Sequence, residues 1–471
     1  MPSVNALARL LSTKRFGRWP STLSKTPRKS NLDAPVESEF GSTRKPQGWR
    51  RMIRNCARSG VARQWTILCF LINGTFILVL FVLLFVEIPE GQFISVRCRL
   101  TIGREAVETN DSTPATNVST WLGKTSRTVI PRACHSHNDY NRKFPVFTAL
   151  TAGCTGIEAD VWLSSDGKDL LIGHERDSLT STRTLQSMYI NPLLEILNGQ
   201  NPTWAADSMS GRPQGIFPTQ PNSTVVLLVD VKEKPEIVWP LVIQQLEPLR
   251  QRRFLTRHEQ AHPTGLVDRQ TLWPAPLTVV GSGQLKLPSL LEAYPNGTFM
   301  RYHDTFVDAP LNGLPDADRP RSANTSTSAP MSWGRTLYGP DNSYYASVSF
   351  KQTIGSVMLG FSQSQLDKLR AQIRGAQQSG LVSRYWDTPS WPINYRDYIW
   401  GVLTREGVGI LNVDDVAAAT RGVWTEGYLK SVHLIIATSL YTTAISVIVW
   451  VVGLHILRTG SNDGAPDFLQ V

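Results

Sequence analysis

Ile157-Glu158-Ala159-Asp160-Val161-Trp162 is an apolar strand sequence interrupted by two carboxylates. Side chains alternate along a strand, so Glu158 and Asp160 share one face. Two buried carboxylates facing one another are costly unless a cation lies between them. The next apolar run, Val225-Val226-Leu227-Leu228-Val229-Asp230-Val231-Lys232, ends the same way, with Asp230 and Lys232 on one face. Between them, Asp166-Gly167 is a turn signal and Leu170-Leu171-Ile172-Gly173 a short return strand, which brings His174 over the same mouth. Upstream, Cys134-His135-Ser136-His137-Asn138-Asp139-Tyr140 closes another strand.

Working outward, apolar strands alternate with helical patterns. The expected strands are Val129–His135, Gly156–Trp162, Val225–Asp230, Leu277–Gly283, Thr298–Tyr302, Tyr345–Phe350, Val382–Trp386 and Gly409–Val413. The expected helices include Val146–Ala152, Glu236–Arg250, Gln363–Gln378 and Tyr395–Glu406. Eight strands with intervening helices predict an α/β fold, a (β/α)8 TIM barrel over residues 128–420, with 199–222 and 308–343 as long loops. Chemistry in such a barrel belongs at the carboxyl ends of the strands. Glu158, Asp160 and Asp230 there form a hard oxygen site suited to one divalent cation, Mg²⁺ or Ca²⁺. With Lys232 on phosphoryl oxygens and His135 and His174 as acid and base, the set suits phosphodiester cleavage. His137 and Asp139 are candidates for orienting those groups. Tyr385, Trp386 and Trp391 would pack in the core or line a lipid pocket.

The order His135, Ile157-Glu158-Ala159-Asp160-Val161, Asp166-Gly167, Gly173-His174 resembles the phospholipase-C-like and glycerophosphodiester phosphodiesterase barrels, including the spider-venom phospholipase D branch. The fuller string His135-Ser-His-Asn-Asp-Tyr140, with Glu158-Ala-Asp-Val-Trp162 and Arg183-Thr-Leu, resembles the fungal altered inheritance of mitochondria protein 6 family. The resemblance implies catalytic roles for His135 and His174, metal ligation by Glu158, Asp160 and Asp230, phosphate binding by Lys232, and a glycerophosphodiester or (lyso)phospholipid substrate. Ser136 stands where the glycerophosphodiesterase pattern has arginine, and Glu175 where it has aspartate. Those departures leave room for a barrel that binds lipid or a partner without turnover. A zinc amidohydrolase would explain His135-x-His137, with His303 and Asp414 as later ligands, but not the residues Glu158, Asp160, Asp230 and Lys232.

The formal net charge of +10 is not a nucleic-acid footprint, because it is confined to one end. Residues 1–65 hold fourteen Lys/Arg and three Asp/Glu, and the rest of the chain 34 and 35. Residues 66–86 then run without a charge, long enough to cross a membrane. The expected layout is a basic cytoplasmic tail, a transmembrane helix at 66–86, a linker at 87–127, the barrel, a weaker span at 432–457 and a short tail at 458–471. The barrel would then lie on the lumenal or extracellular side of the secretory pathway, where sequons at Asn110, Asn117, Asn222, Asn296 and Asn324 could be glycosylated. Residues 1–32, basic, rich in Ser and Leu and free of acid, also fit a mitochondrial transit peptide. The five cysteines show no CxxC and no disulfide framework. Oligomeric state is not encoded in any of these features.

Overall fold

The computed structural model describes residues 60–85, 115–204, 211–259, 271–293, 302–314, 337–422, 424 and 427–459. Its strands are β1 (Arg132–Ser136), β2 (Cys154–Leu163), β3 (Leu170–Ile172), β4 (Val225–Val231), β5 (Arg257–Glu259), β6 (Thr271–Trp273), β7 (Leu277–Gly283), β8 (Thr305–Pro310), β9 (Ser343–Ser349), β10 (Val382–Trp386) and β11 (Ile410–Val413). Eight of them, β1, β2, β4, β7, β8, β9, β10 and β11, pair in parallel in that order, and β11 pairs back to β1 to close a barrel. β4 shows why: Val-Val-Leu-Leu-Val is buried on both faces, as a parallel strand between barrel interior and outer helices must be.

The helices used below are α1 (Gly60–Phe85), α2 (Phe147–Ala152), α3 (Pro235–Gln245), α4 (Glu247–Gln251), α5 (Gln363–Gln378), α6 (Ile393–Arg405) and α7 (Tyr428–Thr459). The segment expected as one helix over 236–250 is two, α3 and α4. α5 has the predicted limits because Ser362 and Gln365 cap each other's backbone N–H groups at its start.

The fifth barrel strand differs from expectation. Residues 298–301 of the predicted strand lie outside the described residues, and Tyr302 is in a turn. The strand is β8, whose Phe306, Val307 and Ala309 are buried while Pro310 ends it. Of the expected 308–343 loop, 308–310 are therefore strand and 315–336 lie outside the described residues.

A disulfide, Cys134–Cys154, joins β1 to the first residue of β2 and corrects the expectation that the cysteines form no bridge. Cys134 and Cys154 face the outer core, while His135 faces the barrel interior.

The chain divides into two units, Leu68–Trp450, which holds the barrel, and residues 1–67 with 451–471. Within α7, Tyr428–His455 is 28 residues, long and apolar enough to cross a membrane, and none of its most apolar stretch is buried. Its hydroxyls do not break the helix, since those of Thr438, Thr442 and Thr443 donate to the carbonyls of Leu434, Thr438 and Ser439 one turn back. In α1 the described apolar run is shorter, Thr66–Leu78, so the span expected to be weaker is the better supported among the described residues. The side chains at 79–86 of the other predicted span lie outside the described residues, as do Asn110, Asn296 and Asn324.

The bridge closes a loop with a sequence separation of 20, which by the chain-entropy relation stabilises the fold by about 3 kcal/mol. Replacing both cysteines by serine lowers the thermal midpoint, and dithiothreitol lowers that of the wild type to match. A midpoint unchanged in both would show that the bridge carries no stability.

Candidate active site

The barrel interior changes character along its axis. Val226, Leu228, Val280, Phe306, Tyr345 and Ile410 form an apolar plug, separate from the larger core between sheet and helices. The next inward positions toward the carboxyl ends are charged. Asp160 and Asp230 are register partners on β2 and β4, and Ser282 is the partner of Asp230 on β7.

One atom organises this mouth. Oδ2 of Asp160 lies 2.8 Å from Nζ of Lys232, 2.7 Å from the hydroxyl of Tyr140 and 3.3 Å from Nδ1 of His174. Lys232 also reaches Oδ1 of Asp230 at 2.9 Å, and Oδ2 of Asp230 accepts from Ser282 at 2.9 Å. Burial and the neighbouring Glu158 raise the Asp160 carboxyl despite Lys232. Burial alone would lower the Lys232 ammonium, but Asp230 and Asp160 together raise it.

The placement of His174 follows from local chemistry. β2 runs past the barrel and pairs antiparallel with β3 from Val161 to Leu163. Ser164 and Asp166 shape the connecting turn and Gly167 takes a left-handed φ of 71°. The Trp162 indole N–H donates to the Gly173 carbonyl at 2.8 Å, and the Gly173 N–H to the Asp160 carbonyl at 3.3 Å. His174 therefore lands beside Asp160 with its side chain 54% exposed.

His135 is placed differently. Its side chain is fully buried, with Nε2 3.6 Å from Oε2 of Glu158. The ring stands edge-on to Tyr345 and packs against Gly156, where an added Cβ would lie 2.3 Å from Nδ1. Burial first and Arg384 second lower its pKa to about 4, which keeps it neutral. Burial alone would raise the Glu158 carboxyl, but His135 and Arg384 outweigh it and hold it well below the usual range.

Arg384 is a site residue that the sequence reading passed over. It is buried on β10, its Nη2 lies 3.4 Å from Glu158, its Nη1 3.6 Å from Asp308, and its Nε donates to Asn412 at 3.0 Å. The signal was present, since Arg384 shares a strand face with Val382 and Trp386 as Glu158 does with Asp160. Tyr140 and Asp308 were missed as well. Burial pushes the Asp308 carboxyl up to about 6.

The remaining candidates divide. His137 bonds Asp414 at 2.8 Å on the rim, partly exposed. Asp139 is fully buried away from the carboxylate cluster, accepting from Ser136 at 2.8 Å and from the Val146 N–H at 2.7 Å. It builds the turn after β1. Tyr385 belongs to the outer core, whereas Trp386 and Trp391 are exposed. His303 precedes β8, at the opposite end from the mouth, so an amidohydrolase ligand set does not form.

Among the described residues no three His, Cys, Asp or Glu side chains converge at metal-ligand spacing. The donor set nevertheless fits a hard divalent cation. Glu158, Asp160 and Asp230 share one mouth, and Oδ1 of Asp160 is buried without a hydrogen-bond partner.

A parallel eight-stranded barrel with carboxylates, lysine and histidine at its carboxyl ends defines a phosphodiesterase-like domain. Residues 123–308 match the AIM6-like phosphodiesterase domain. The altered inheritance of mitochondria protein 6 homolog of Arthroderma benhamiae is 36% identical over 305 residues, covering 62% of this chain and 84% of that protein. The Eremothecium gossypii protein named altered inheritance of mitochondria protein 6 is 31% identical over 300 residues, covering 61% and 68%. The chain belongs to the altered inheritance of mitochondria protein 6 family. Among solved structures, a glycerophosphodiester phosphodiesterase from Parabacteroides distasonis aligns with 11% identity and a TM-score of 0.30, covering 64% of this chain and 97% of that one.

The lowered His135 pKa fixes a sign. Above pH 6.5 the imidazole is neutral in both folded and unfolded chains. Between 6.5 and about 4 only the unfolded chain takes up the proton, so stability is lost as pH falls across that window, by at most roughly 3 kcal/mol. His135→Gln therefore flattens the decline in thermal midpoint between pH 6.5 and 4. A parallel decline in the variant would place the titration elsewhere.

Proposed function

We propose that the chain is a membrane-anchored, divalent-cation-dependent phosphoric diester hydrolase acting on glycerophosphodiesters or (lyso)phospholipids. The observation that carries this is the junction at Asp160, where a lysine, a tyrosine and an exposed histidine meet one buried carboxylate beside Asp230 and Glu158.

Glu158, Asp160 and Asp230 would hold the cation, Mg²⁺ or Ca²⁺, which supplies charge neutralisation at the phosphoryl oxygens. Lys232, fixed between Asp160 and Asp230, presents a second positive charge to the same oxygens. His135, kept neutral by burial, would accept the nucleophile's proton. His174, oriented through Nδ1 by Asp160 and Tyr140, donates a proton to the leaving alkoxide. A new P–O bond forms from water or from a hydroxyl of the substrate itself, and the P–O bond to the leaving alcohol breaks. Arg384 holds Glu158 in its charged form and in place.

Purified full-length protein is expected to cleave glycerophosphodiesters or lysophospholipids, to stop with EDTA and to recover with Mg²⁺ or Ca²⁺, as followed by ³¹P NMR. His174→Ala and Glu158→Ala each cost roughly 10²-fold or more in kcat. Full activity in both variants removes the proposal, and lipid binding without turnover by the wild type makes the barrel a binding module.

The Cys134–Cys154 bridge supports an oxidising compartment, hence a lumenal or extracellular barrel between α1 and α7. Asn222 is exposed in the turn before β4. An endoglycosidase-sensitive band lost in Asn222→Gln is the expected result, and an unglycosylated wild type would count against that side of the membrane.

A further inference from the structure

The root of α7 is bonded to the rim of the barrel mouth. The loops after β9 and β10 rise from the carboxyl ends of neighbouring strands and are tied together by the Ser349 hydroxyl donating to Asp387 at 2.9 Å. The first loop, residues 354–361, is held from two sides. The Val357 and Phe361 N–H groups donate to the hydroxyls of Tyr395 and Tyr398 at the start of α6, at 3.0 and 3.3 Å. The Tyr428 hydroxyl, in the first turn of α7, donates to the Met358 carbonyl at 3.0 Å, and its ring stacks on Tyr398 at 5.3 Å. The same loop turns outward at its tip, where Met358 and Leu359 are exposed, Leu359 by 72%. Trp386, at the end of β10, and Trp391, on the loop after it, are exposed too.

Tyr428 and Val432 are buried against the barrel, whereas Leu434 and Ile436 open the exposed apolar run of the span. Six residues at 1.5 Å put the start of that run about 9 Å from the rim, little more than one headgroup layer. Apolar tips with tryptophans beside a span, and an exposed Lys430 at its root, are the composition of a membrane–water interface.

We infer that the rim formed by residues 354–361 and 386–392 docks on the bilayer surface from which α7 emerges, so that the mouth takes the headgroup phosphodiester of a bilayer-resident phospholipid rather than a soluble diester. This rests on the hydrolase and anchor readings above and narrows the substrate class. Aqueous diesters reach the mouth only by diffusing under the rim, while a bilayer phospholipid is presented to it at high local concentration.

The test uses the full chain in vesicles of phosphatidylcholine and phosphatidylserine. Met358→Ser/Leu359→Ser/Trp391→Ser should lower turnover of bilayer phosphatidylcholine at least tenfold while turnover of glycerophosphocholine stays at the wild-type rate. A bimane probe on Leu359→Cys, with Cys56, Cys69 and Cys98 replaced by serine, should be quenched by doxyl-labelled lipid. An unquenched probe in protein that floats with the vesicles overturns the docking, whatever the activity. Protein that does not float shows instead that the anchor reading fails, and the inference with it. Equal loss on both substrates, or loss on neither, overturns the substrate assignment. A quenched probe on a wild type that cleaves no phosphodiester sinks the hydrolase and that assignment together and leaves the docking standing.

Discussion

The structure depends on balancing charge inside a closed sheet. A parallel barrel strand has no solvent-facing side, so every carboxylate placed inward must be matched within the barrel. Arg384 from β10 and Lys232 at the end of β4 supply that match from opposite walls. Arg384 reaches Glu158 and Asp308, and Lys232 bridges Asp160 and Asp230. The bonds are mostly inter-strand, so the same contacts that neutralise the mouth hold the strand ends in register. The apolar plug below excludes water from one side only, which confines the charged layer to the end where loops can cover or open it.

Legibility followed how local each constraint was. β2 and β4 could be read because their alternation carries the charge in the same few residues that form the strand. α5 could be read to its limits because Ser362 and Gln365 write its beginning into the sequence. β8 could not, because Asp308 and Pro310 give it the look of a loop, and only its pairing between β7 and β9 makes it a strand. Arg384 stands in a strand correctly placed, yet its meaning comes from Glu158, 226 positions away in the chain. The disulfide was illegible for the same reason, since Cys134 and Cys154 become neighbours only once β1 and β2 are adjacent.

The two histidines illustrate how one motif can conceal two environments. Both sit at expected strand ends, and nothing in Cys-His-Ser or Gly-His-Glu distinguishes them. The difference arises from Gly156, which lets the His135 ring lie flat against the neighbouring strand, and from the β2–β3 hairpin, which lifts His174 clear of the barrel. Burial then keeps one imidazole neutral while the other remains in contact with solvent. The acceptor and donor roles proposed for them would thereby be separated by position rather than by residue type, the usual way in which two like groups acquire unlike roles.

The charge count of the mouth also bears on the cation. Glu158, Asp160, Asp230 and Asp308 face Arg384 and Lys232, and Lys286 also acts on Asp308, so four carboxylates meet three cations when all are ionised. The structure relieves this in part through protons, because burial raises both Asp160 and Asp308 and brings Asp308 to about 6. Protonation is a poor solution near neutral pH, since Asp308, raised only to about 6, is still mostly ionised there, while Oδ1 of Asp160 stays buried without a hydrogen-bond partner. A cation held as proposed by Glu158, Asp160 and Asp230 would offset the remaining negative charge and could give Oδ1 of Asp160 a partner. A surplus of buried carboxylate is costly for packing alone, and the proposed cation and phosphodiester would give it a use.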